Sequence, residues 1–304
     1  MVVGAVMDWK EKVRSFAANE GVLAGFCSAE ADESLKALLL RKRRRQPPCG
    51  FEPKNLDLRT DPSLTLPGAK SILVCLFPYF RSDIAKQNLS RYACIPDYHI
   101  VVRKKLEKIS EYIRQFDNTI QYKCYSDNGP LVDRYLAYKA GLGFFGRNCH
   151  FIHETYGSWC FIGYSILTAD IPPDKPLDRT CADCGKCRAA CPGGALDGMM
   201  GFDCERCISY LTQKKELTGE QAALLAGQES VYGCDVCQEV CPHNQDVPDT
   251  PVQEFYGAKL EKLEYNEVNR LSGREFKRKF QTFPFAWRGK SVILRNLEKE
   301  MLDK

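Results

Sequence analysis

The pattern of hydrophobic and polar positions over the first 170 residues combines helical and strand-like spacing. Four segments have the apolar spacing of helices, namely 8–20, 32–46, 97–116 and 130–140. Strand-like runs lie between and after them, at 22–27, 71–77, 119–125 and twice within 148–168. Because this mixture lacks a clean βαβ repeat, the sequence predicts an α+β fold.

Prolines and glycines mark the ends of the predicted elements. Pro47 and Pro48 are expected to end the second helix, and Pro130 suits the first turn of the fourth helix. Residues 141–146 match the GxGxxG spacing of a dinucleotide-binding loop, which has to follow a strand and open a helix. Here the glycines follow a predicted helix. Gly141 is therefore interpreted as the residue that ends this helix, and nucleotide binding is not predicted.

The composition of the chain changes at residues 172–176, Pro-Pro-Asp-Lys-Pro, which have the character of a linker. A cysteine-rich stretch follows, with helices predicted over 207–211 and 218–225. Beyond Pro251 the chain is helical and basic. The sequence therefore predicts three domains, which span 1–175, 176–247 and 248–304.

Composition and the N-terminal segment bear on where the chain works. With 304 residues, 44% hydrophobic and 27% charged, the chain has the composition of a soluble globular protein. Its first residues lack the basic region of a signal peptide. The longest apolar stretch, 72–80, is too short to span a bilayer and contains Pro78. We expect a cytoplasmic protein with no membrane association, in a compartment where thiols stay reduced.

Eight of the sixteen cysteines form a split pattern. The first block reads Cys181-Ala-Asp-Cys184-Gly-Lys-Cys187-Arg-Ala-Ala-Cys191-Pro192, and the second reads Cys234-Asp-Val-Cys237-Gln-Glu-Val-Cys241-Pro242, with Cys207 upstream. Cysteines at two-residue gaps can bind one [4Fe–4S] cube, and the cysteine before proline is directed to the other cube. One predicted ligand set is Cys181, Cys184, Cys187 and Cys241, and the other is Cys191, Cys207, Cys234 and Cys237. Cys204 is the alternative to Cys207.

Two other uses of cysteine fit the pattern less well. A disulfide scaffold suits a short secreted chain, and zinc ribbons rarely contain a CxxCxxCxxxCP run. Two [4Fe–4S] clusters are therefore predicted, which makes the chain a redox enzyme or an electron carrier.

The formal net charge is +4, and two clusters of about −2 each would bring the loaded protein near neutrality. Positive charge is concentrated in residues 41–45 and in 270–295, where eight Lys or Arg accompany one acid, Glu275. Both patches are interpreted as solvated helix faces. Five aromatic residues of the second patch are interpreted as core, and these are Phe276, Phe280, Phe283, Phe285 and Trp287.

The segment 126–134 is the most suggestive loop of the first domain. Its Asp-Asn-Gly-Pro sequence is by itself typical of a turn, and Asp133 and Arg134 would form an ordinary exposed ion pair on the next helix. Together with this loop and the cysteine blocks, five further segments form a series of motifs in a fixed order along the chain. They are 97–99, 140–149, 156–159, 206–212 and 232–237.

Together these segments resemble the epoxyqueuosine reductase family, cobalamin- and iron–sulfur-dependent enzymes of tRNA modification. The resemblance implies a nitroreductase-like corrinoid-binding domain followed by a two-cluster ferredoxin-like module. It implies reduction of the epoxide of epoxyqueuosine in the tRNA anticodon stem-loop to queuosine, the last step of queuosine biosynthesis. An external electron donor and a monomeric enzyme are expected.

The resemblance also suggests roles for individual residues. Asp127 occupies the position of the family's proton donor, and an acid is required there because breaking a C–O bond leaves an alkoxide. Cobalamin contacts are implied for Asp127 and six further residues, which are Arg59, Ser90, Phe151, Ile162, Ser209 and Asp235. Lys214 and Lys215 are either phosphate contacts or solvated surface. Residues 97–102 match only half of a DxHxxG cobalt-ligand motif, so His99 is interpreted as a corner residue where a helix starts.

The sequence departs from the family after the cluster module. Longer members continue into helical repeats, whereas only a couple of helices fit here before Lys304. We therefore expect a short form whose basic tail is a remnant of the RNA-binding platform. Two alternatives remain at this point: a ferredoxin-like electron carrier, which needs iron without cobalt, and a dehalogenase-like corrinoid reductase of small molecules.

Overall fold

The computed structural model describes the chain over residues 3–46, 48–199 and 201–302. The chain folds into two compact units that interleave in sequence. The first unit consists of Met1–Pro78, His99–Gly146 and His150–Cys181, and the second of Tyr79–Tyr98, Arg147–Cys149 and Ala182–Lys304. The predicted domains are continuous, so residues 79–98 and 147–149 join a different unit from the one that the sequence suggests.

The first unit is built around a four-stranded sheet. Its helices are α1 (Val3–Asn19), α2 (Glu33–Arg45), α3 (Leu56–Thr60), α4 (Tyr98–Arg114) and α5 (Asp133–Lys139). Its strands are β1 (Leu23–Ser28), β2 (Ser71–Pro78), β3 (Tyr122–Ser126), β4 (Phe144–Phe145), β5 (Phe151–Ile152) and β6 (Cys160–Leu167). The sheet has the order β1-β2-β6-β3 with antiparallel neighbours, and β4 pairs with β5. Mixed helix and strand content is thus confirmed.

The sheet is covered on both faces, which explains the uninterrupted apolar run that predicted β2. All eight residues of β2 are buried. A Cβ atom on Gly163 of β6 would lie 2.6 Å from Val102 of α4, so that helix packs directly on the backbone of the sheet. A Cβ on Gly25 of β1 would lie 2.6 Å from the carbonyl oxygen of Ala140, at the end of α5. Strands buried on both faces lose the alternation of polar and apolar positions.

The predicted helix over 130–140 is wrong at its start. The helix α5 begins at Asp133, and Pro130 lies in the preceding loop. The cause is tertiary: the N–H of Leu131 donates to the buried Tyr164 hydroxyl at 3.0 Å, which holds the loop against β6. At the other end, Gly141 has the left-handed φ of +68° expected of a helix-ending residue. Pro47, predicted to end α2, lies outside the described residues.

The second unit contains mainly short helices. They are α6 (Lys186–Ala190), α7 (Ile208–Leu211), α8 (Gly219–Ala226), α9 (Val236–Glu239), α10 (Tyr265–Arg270), α11 (Gly273–Phe280) and α12 (Lys290–Leu302). The segment 79–98 is held there by backbone pairing, since the Ser90 N–H donates to the carbonyl of Tyr232 at 2.9 Å. The N–H of Thr250 likewise donates to the carbonyl of Phe80 at 2.7 Å.

The aromatic residues of the basic tail contribute to the core of the second unit. Four of them are buried as predicted, namely Phe276, Phe280, Phe283 and Phe285. Trp287 differs, because it is 57% exposed and stacks against the Arg288 guanidinium at 3.8 Å. Over the described parts of the chain, no helix combines the length and the apolar character that crossing a bilayer would require.

Candidate functional site

The two cysteine blocks fold into the same local structure. In each block a residue that follows a cysteine, Gly185 or Asp235, takes a left-handed backbone conformation with φ of 72° and 66°. A short helix comes next, α6 or α9, and each block ends in an extended cysteine before proline. Turns of this kind line up backbone N–H groups into concave anion sites, which many iron–sulfur centres use.

The four thiols of the second predicted ligand set influence one another electrostatically. Burial raises the pKa of Cys237, and the charges of Cys207, Cys234 and Cys191 raise it further. Among the described residues, no three His, Cys, Asp or Glu side chains converge as closely as one bound ion requires. A cube of four irons and four sulfides is wider than one ion, so its ligands lie farther apart.

Backbone N–H groups surround three of these thiols. Ala195 donates its N–H to the sulfur of Cys191 at 3.2 Å. The backbone N–H groups of Tyr210 and Ser209 bond to the sulfur of Cys207, and that of Val236 bonds to the sulfur of Cys234. These bonds favour the thiolate form of each cysteine. Burial nevertheless raises the pKa of Cys207 to about 11, so the free thiol stays protonated at neutral pH. Iron binding would therefore release a proton from this group.

The structure distinguishes Cys207 from its neighbour Cys204. Cys207 is the residue that precedes α7, and its ionised form would raise the pKa of Cys237. Cys204 is buried in the short 3-10 helix Cys204–Arg206, and its carbonyl accepts the Cys207 N–H at 3.0 Å. Cys207 stays the predicted ligand, and Cys204 lies in the turn that precedes it.

The first predicted ligand set is less fully described. Cys181 is the last residue of the first unit, and Cys184, Cys187 and Cys241 belong to the second. Cys184 is exposed, whereas Cys187 and Cys241 are buried. This ligand set stays a prediction.

Two of the predicted cofactor contacts in the second unit, Ser90 and Asp235, are neighbours. A Cβ on Gly233, where φ is +81°, would overlap the Ser90 hydroxyl. The carboxylate of Asp235 accepts the N–H of Arg91 at 2.6 Å, and burial raises its pKa to about 6. Ser209 lies on α7. The C-terminal end of α7 contacts the turn at Gly233, because the Gly233 N–H donates to the hydroxyl of Thr212 at 3.0 Å.

Asp127 leaves the sheet immediately after β3. Ser126 pairs with Gly163 of β6, which places the aspartate at the edge of the sheet beside Ile162 in the register. Its φ of +62° lies in the left-handed region, a costly conformation for a residue with a side chain. Its carboxylate is 57% exposed, and one oxygen, Oδ2, lies 3.4 Å from Nε2 of His99.

His99 was not predicted as a functional residue. Its position near the start of α4 agrees with the corner interpretation, but its imidazole also reaches Asp127. The available signal is the Asp97-Tyr98-His99 segment, which belongs to the stretches that resemble the family and also matches half of a cobalt-ligand motif.

Asp133 differs from the exposed ion pair that the sequence suggested. It is partly buried at the first position of α5, and burial together with the charge of Asp127 raises its pKa to about 8. This segment thus contains two acids, Asp127 and Asp133, whose negative charges repel each other.

Three other predicted contacts lie in the first unit. Phe151 and Ile162 belong to one hydrophobic cluster with Leu136 of α5. Arg59 is 9% exposed, lines a cavity of about 300 Å³, and burial lowers its pKa. Its Nε makes no hydrogen bond and lies 3.9 Å from the carboxylate of Glu52.

Some of the basic residues that the sequence suggests as solvated surface are indeed exposed. Arg41, Lys42, Arg44 and Arg45 are exposed on α2. The ammonium of Lys214 instead bonds to Glu205 at 2.6 Å and to Gln221 at 3.0 Å, so it has a structural role.

Residues 180–244, which contain both cysteine blocks, match the model of a protein family described as "4Fe-4S double cluster binding domain". These findings define the chain as an iron–sulfur redox protein. A second family, "Epoxyqueuosine reductase QueG, DUF1730", matches residues 59–128.

Several relatives are similar over nearly the whole chain. The epoxyqueuosine reductase of Bacillus cereus is 36% identical over 284 residues, which cover 90% of this chain and 74% of the relative. The enzyme of Lactococcus garvieae is 35% identical over 95% of this chain and 85% of its own. A crystal structure of epoxyqueuosine reductase with a tRNA-Tyr epoxyqueuosine-modified stem loop superposes with a TM-score of 0.89. It is 33% identical, covering 97% of this chain and 81% of that one. The chain therefore belongs to the epoxyqueuosine reductase family of oxidoreductases.

Proposed function

We propose that this protein reduces the epoxide of epoxyqueuosine in a tRNA anticodon stem-loop to queuosine, the last step of queuosine biosynthesis. The observation that carries the proposal is the mutual electrostatic influence of four thiols from three chain segments in a chain of this family. Cys191, Cys207, Cys234 and Cys237 supply the donor set that a [4Fe–4S] cluster takes. The relative that was crystallised with a modified tRNA stem loop supports RNA as the substrate.

Two clusters are proposed, one on each ligand set derived from the cysteine spacing. Cys191 and Cys241, each before a proline, belong to the set centred on the other block. When bound, the clusters supply single electrons that come from an external donor. The N–H groups around Cys191, Cys207 and Cys234 stabilise thiolates and so hold the charge of a cluster.

Cobalamin is proposed as the second cofactor, and buried polar atoms of the first unit fit such a ligand. The Nε of Arg59 and the hydroxyl of Ser126 are buried without a hydrogen bond, and a corrin carries amide groups that could satisfy them. Phe151 and Ile162 add apolar surface. Ser90, Ser209 and Asp235 stay proposed contacts in the second unit. When bound, cobalamin would supply a cobalt centre that passes electrons to the substrate.

Asp127 is proposed as the acid that protonates the oxygen released from carbon. Its carboxylate is accessible, and its left-handed conformation is a strain that the fold maintains. A carboxyl group works as an acid near neutral pH only when its surroundings disfavour the charged form. A bound corrin that excludes water from Asp127 would act in this direction.

The cofactor assignment is tested by anaerobic reconstitution with iron, sulfide and cobalamin, followed by metal analysis and a visible spectrum. We expect about eight irons and one corrinoid per chain. The same treatment of Arg59→Met should lower corrinoid retention and leave iron unchanged. Eight irons with no retained corrinoid in the native protein would contradict the proposal and point to an electron carrier.

A further inference from the structure

We propose that His99 supplies Asp127 with the second proton of the reaction. This inference rests on the proposed role of Asp127. Because His99 acts through Asp127, it is a positioning and proton-supplying residue, and Asp127 remains the group that meets the substrate.

The stoichiometry of epoxide reduction requires two protons. Two C–O bonds break, a C=C bond forms, and the oxygen leaves as water, with two electrons supplied through the iron–sulfur module and two protons supplied by acids. Asp127 holds one proton. After it has protonated the first released oxygen it is a carboxylate, so the second C–O cleavage needs a new proton at the same place.

The geometry of the loop provides a source for that proton. His99 Nε2 lies 3.4 Å from Oδ2 of Asp127, within the distance of an ion pair and close to that of a hydrogen bond. The imidazole is 34% exposed and lines a groove of about 570 Å³ along β3, through which water can protonate it again. Histidine is the side chain whose ordinary pKa lies nearest neutrality, so it can both hold and release a proton there.

The other charged groups that line the groove are paired, and its remaining titratable groups are neutral. On α4, Arg103 and Glu107 pair with each other at 3.0 Å. On β3, the Lys123 ammonium is bound to the carbonyl of Thr65 at 2.7 Å. The remaining titratable side chains of that strand have pKa values raised by burial and stay neutral near pH 7, and these are Tyr122, Cys124 and Tyr125. The carboxylate of Asp127 lies at ion-pair distance from the imidazole.

Histidine NMR tests the pair without any cofactor or substrate. The chain has four histidines, so labelled imidazole signals can be assigned with His99→Gln. Neutralising the neighbour in Asp127→Asn should move the titration midpoint of His99 to lower pH, because a nearby carboxylate favours the imidazolium. The control Asp178→Asn neutralises an exposed carboxyl elsewhere in the first unit and should leave the midpoint in place. An unchanged midpoint in Asp127→Asn would overturn the inference.

Single-turnover kinetics on the reduced holoenzyme test the role itself. His99→Gln should slow epoxide reduction about tenfold or more at pH 8 and by much less near pH 6, where the higher proton concentration in the groove speeds the return of a proton to Asp127. The control Lys104→Gln, an exposed position on the same helix, should follow the native profile. Equal rates at all pH values, or a loss that does not depend on pH, would contradict proton supply. An inactive native holoenzyme would overturn the proposed function, and this role with it, whatever the NMR result.

Discussion

The carboxyl group of Asp133 is held where its charged form is disfavoured. Burial is the main cause and the neighbouring Asp127 the second, and together they raise its pKa from 3.8 to about 8. Between these two pH values the folded protein binds this proton more strongly than the unfolded chain does. The contribution of Asp133 to stability is therefore full below about pH 4 and is lost as the pH rises to about 8.

Replacing this acid should stabilise the protein at high pH only. Asp133→Asn should raise the free energy of unfolding at pH 8 by about 1 kcal/mol or more and have little effect at pH 4. Denaturant unfolding at both pH values measures this difference. As a control, Asp117→Asn removes a half-buried residue's carboxyl whose pKa is lowered by hydrogen bonds from Thr119, so it should not stabilise at pH 8. A gain of equal size at pH 4 and pH 8 in Asp133→Asn would contradict the assigned titration.

Some of these residues could be predicted from the sequence and others could not, for a physical reason. Asp127 was suggested through its place in an ordered series of motifs. The contact of His99 with Asp127 joins residues 28 positions apart and depends on the packing of α4 beside β3. Asp133 looked like an exposed residue because local pattern does not report the burial that raises its pKa.

At the scale of elements, the ligands proposed for the two clusters can be tested one cysteine at a time. Cys207→Ala should lower reconstituted iron from about eight to about four per chain, because the cluster of the second set loses a ligand. Cys204→Ala is the matched change three residues away and should keep about eight. Iron analysis, normalised to folded protein by circular dichroism, gives the comparison. The opposite result, with iron lost in Cys204→Ala and kept in Cys207→Ala, would transfer the ligand role to Cys204.

Most helices and strands could be predicted because their signals are local. The cap of α2 at Asp32 and the capping box of α8 at Thr218 lie in the sequence itself. The start of α5 could not be predicted from Pro130, since the bond from Leu131 to Tyr164 on β6 is a tertiary contact. The type of each element could therefore be predicted from local sequence, whereas the exact start of an element such as α5 depends on long-range contacts.

At the scale of the whole molecule, the interleaving of the two units was hidden from sequence reasoning. The segment 79–98 shows no change in composition that separates it from the first unit. It belongs to the second because Leu89 pairs with Tyr232 and Phe80 with Thr250, contacts that span more than 140 residues. Pairings of that range leave no periodic pattern in the chain.

The central claim is that this chain removes the epoxide oxygen from epoxyqueuosine in tRNA with Asp127 as the acid. The most direct measurement is nucleoside mass spectrometry of epoxyqueuosine-containing tRNA after incubation with the reduced, reconstituted holoenzyme. We predict that queuosine replaces epoxyqueuosine with the native protein and with Asp178→Asn, and that Asp127→Asn retains its iron and corrinoid but leaves the epoxide intact. Unchanged epoxyqueuosine with a fully loaded native enzyme, or full conversion by Asp127→Asn, would contradict the account.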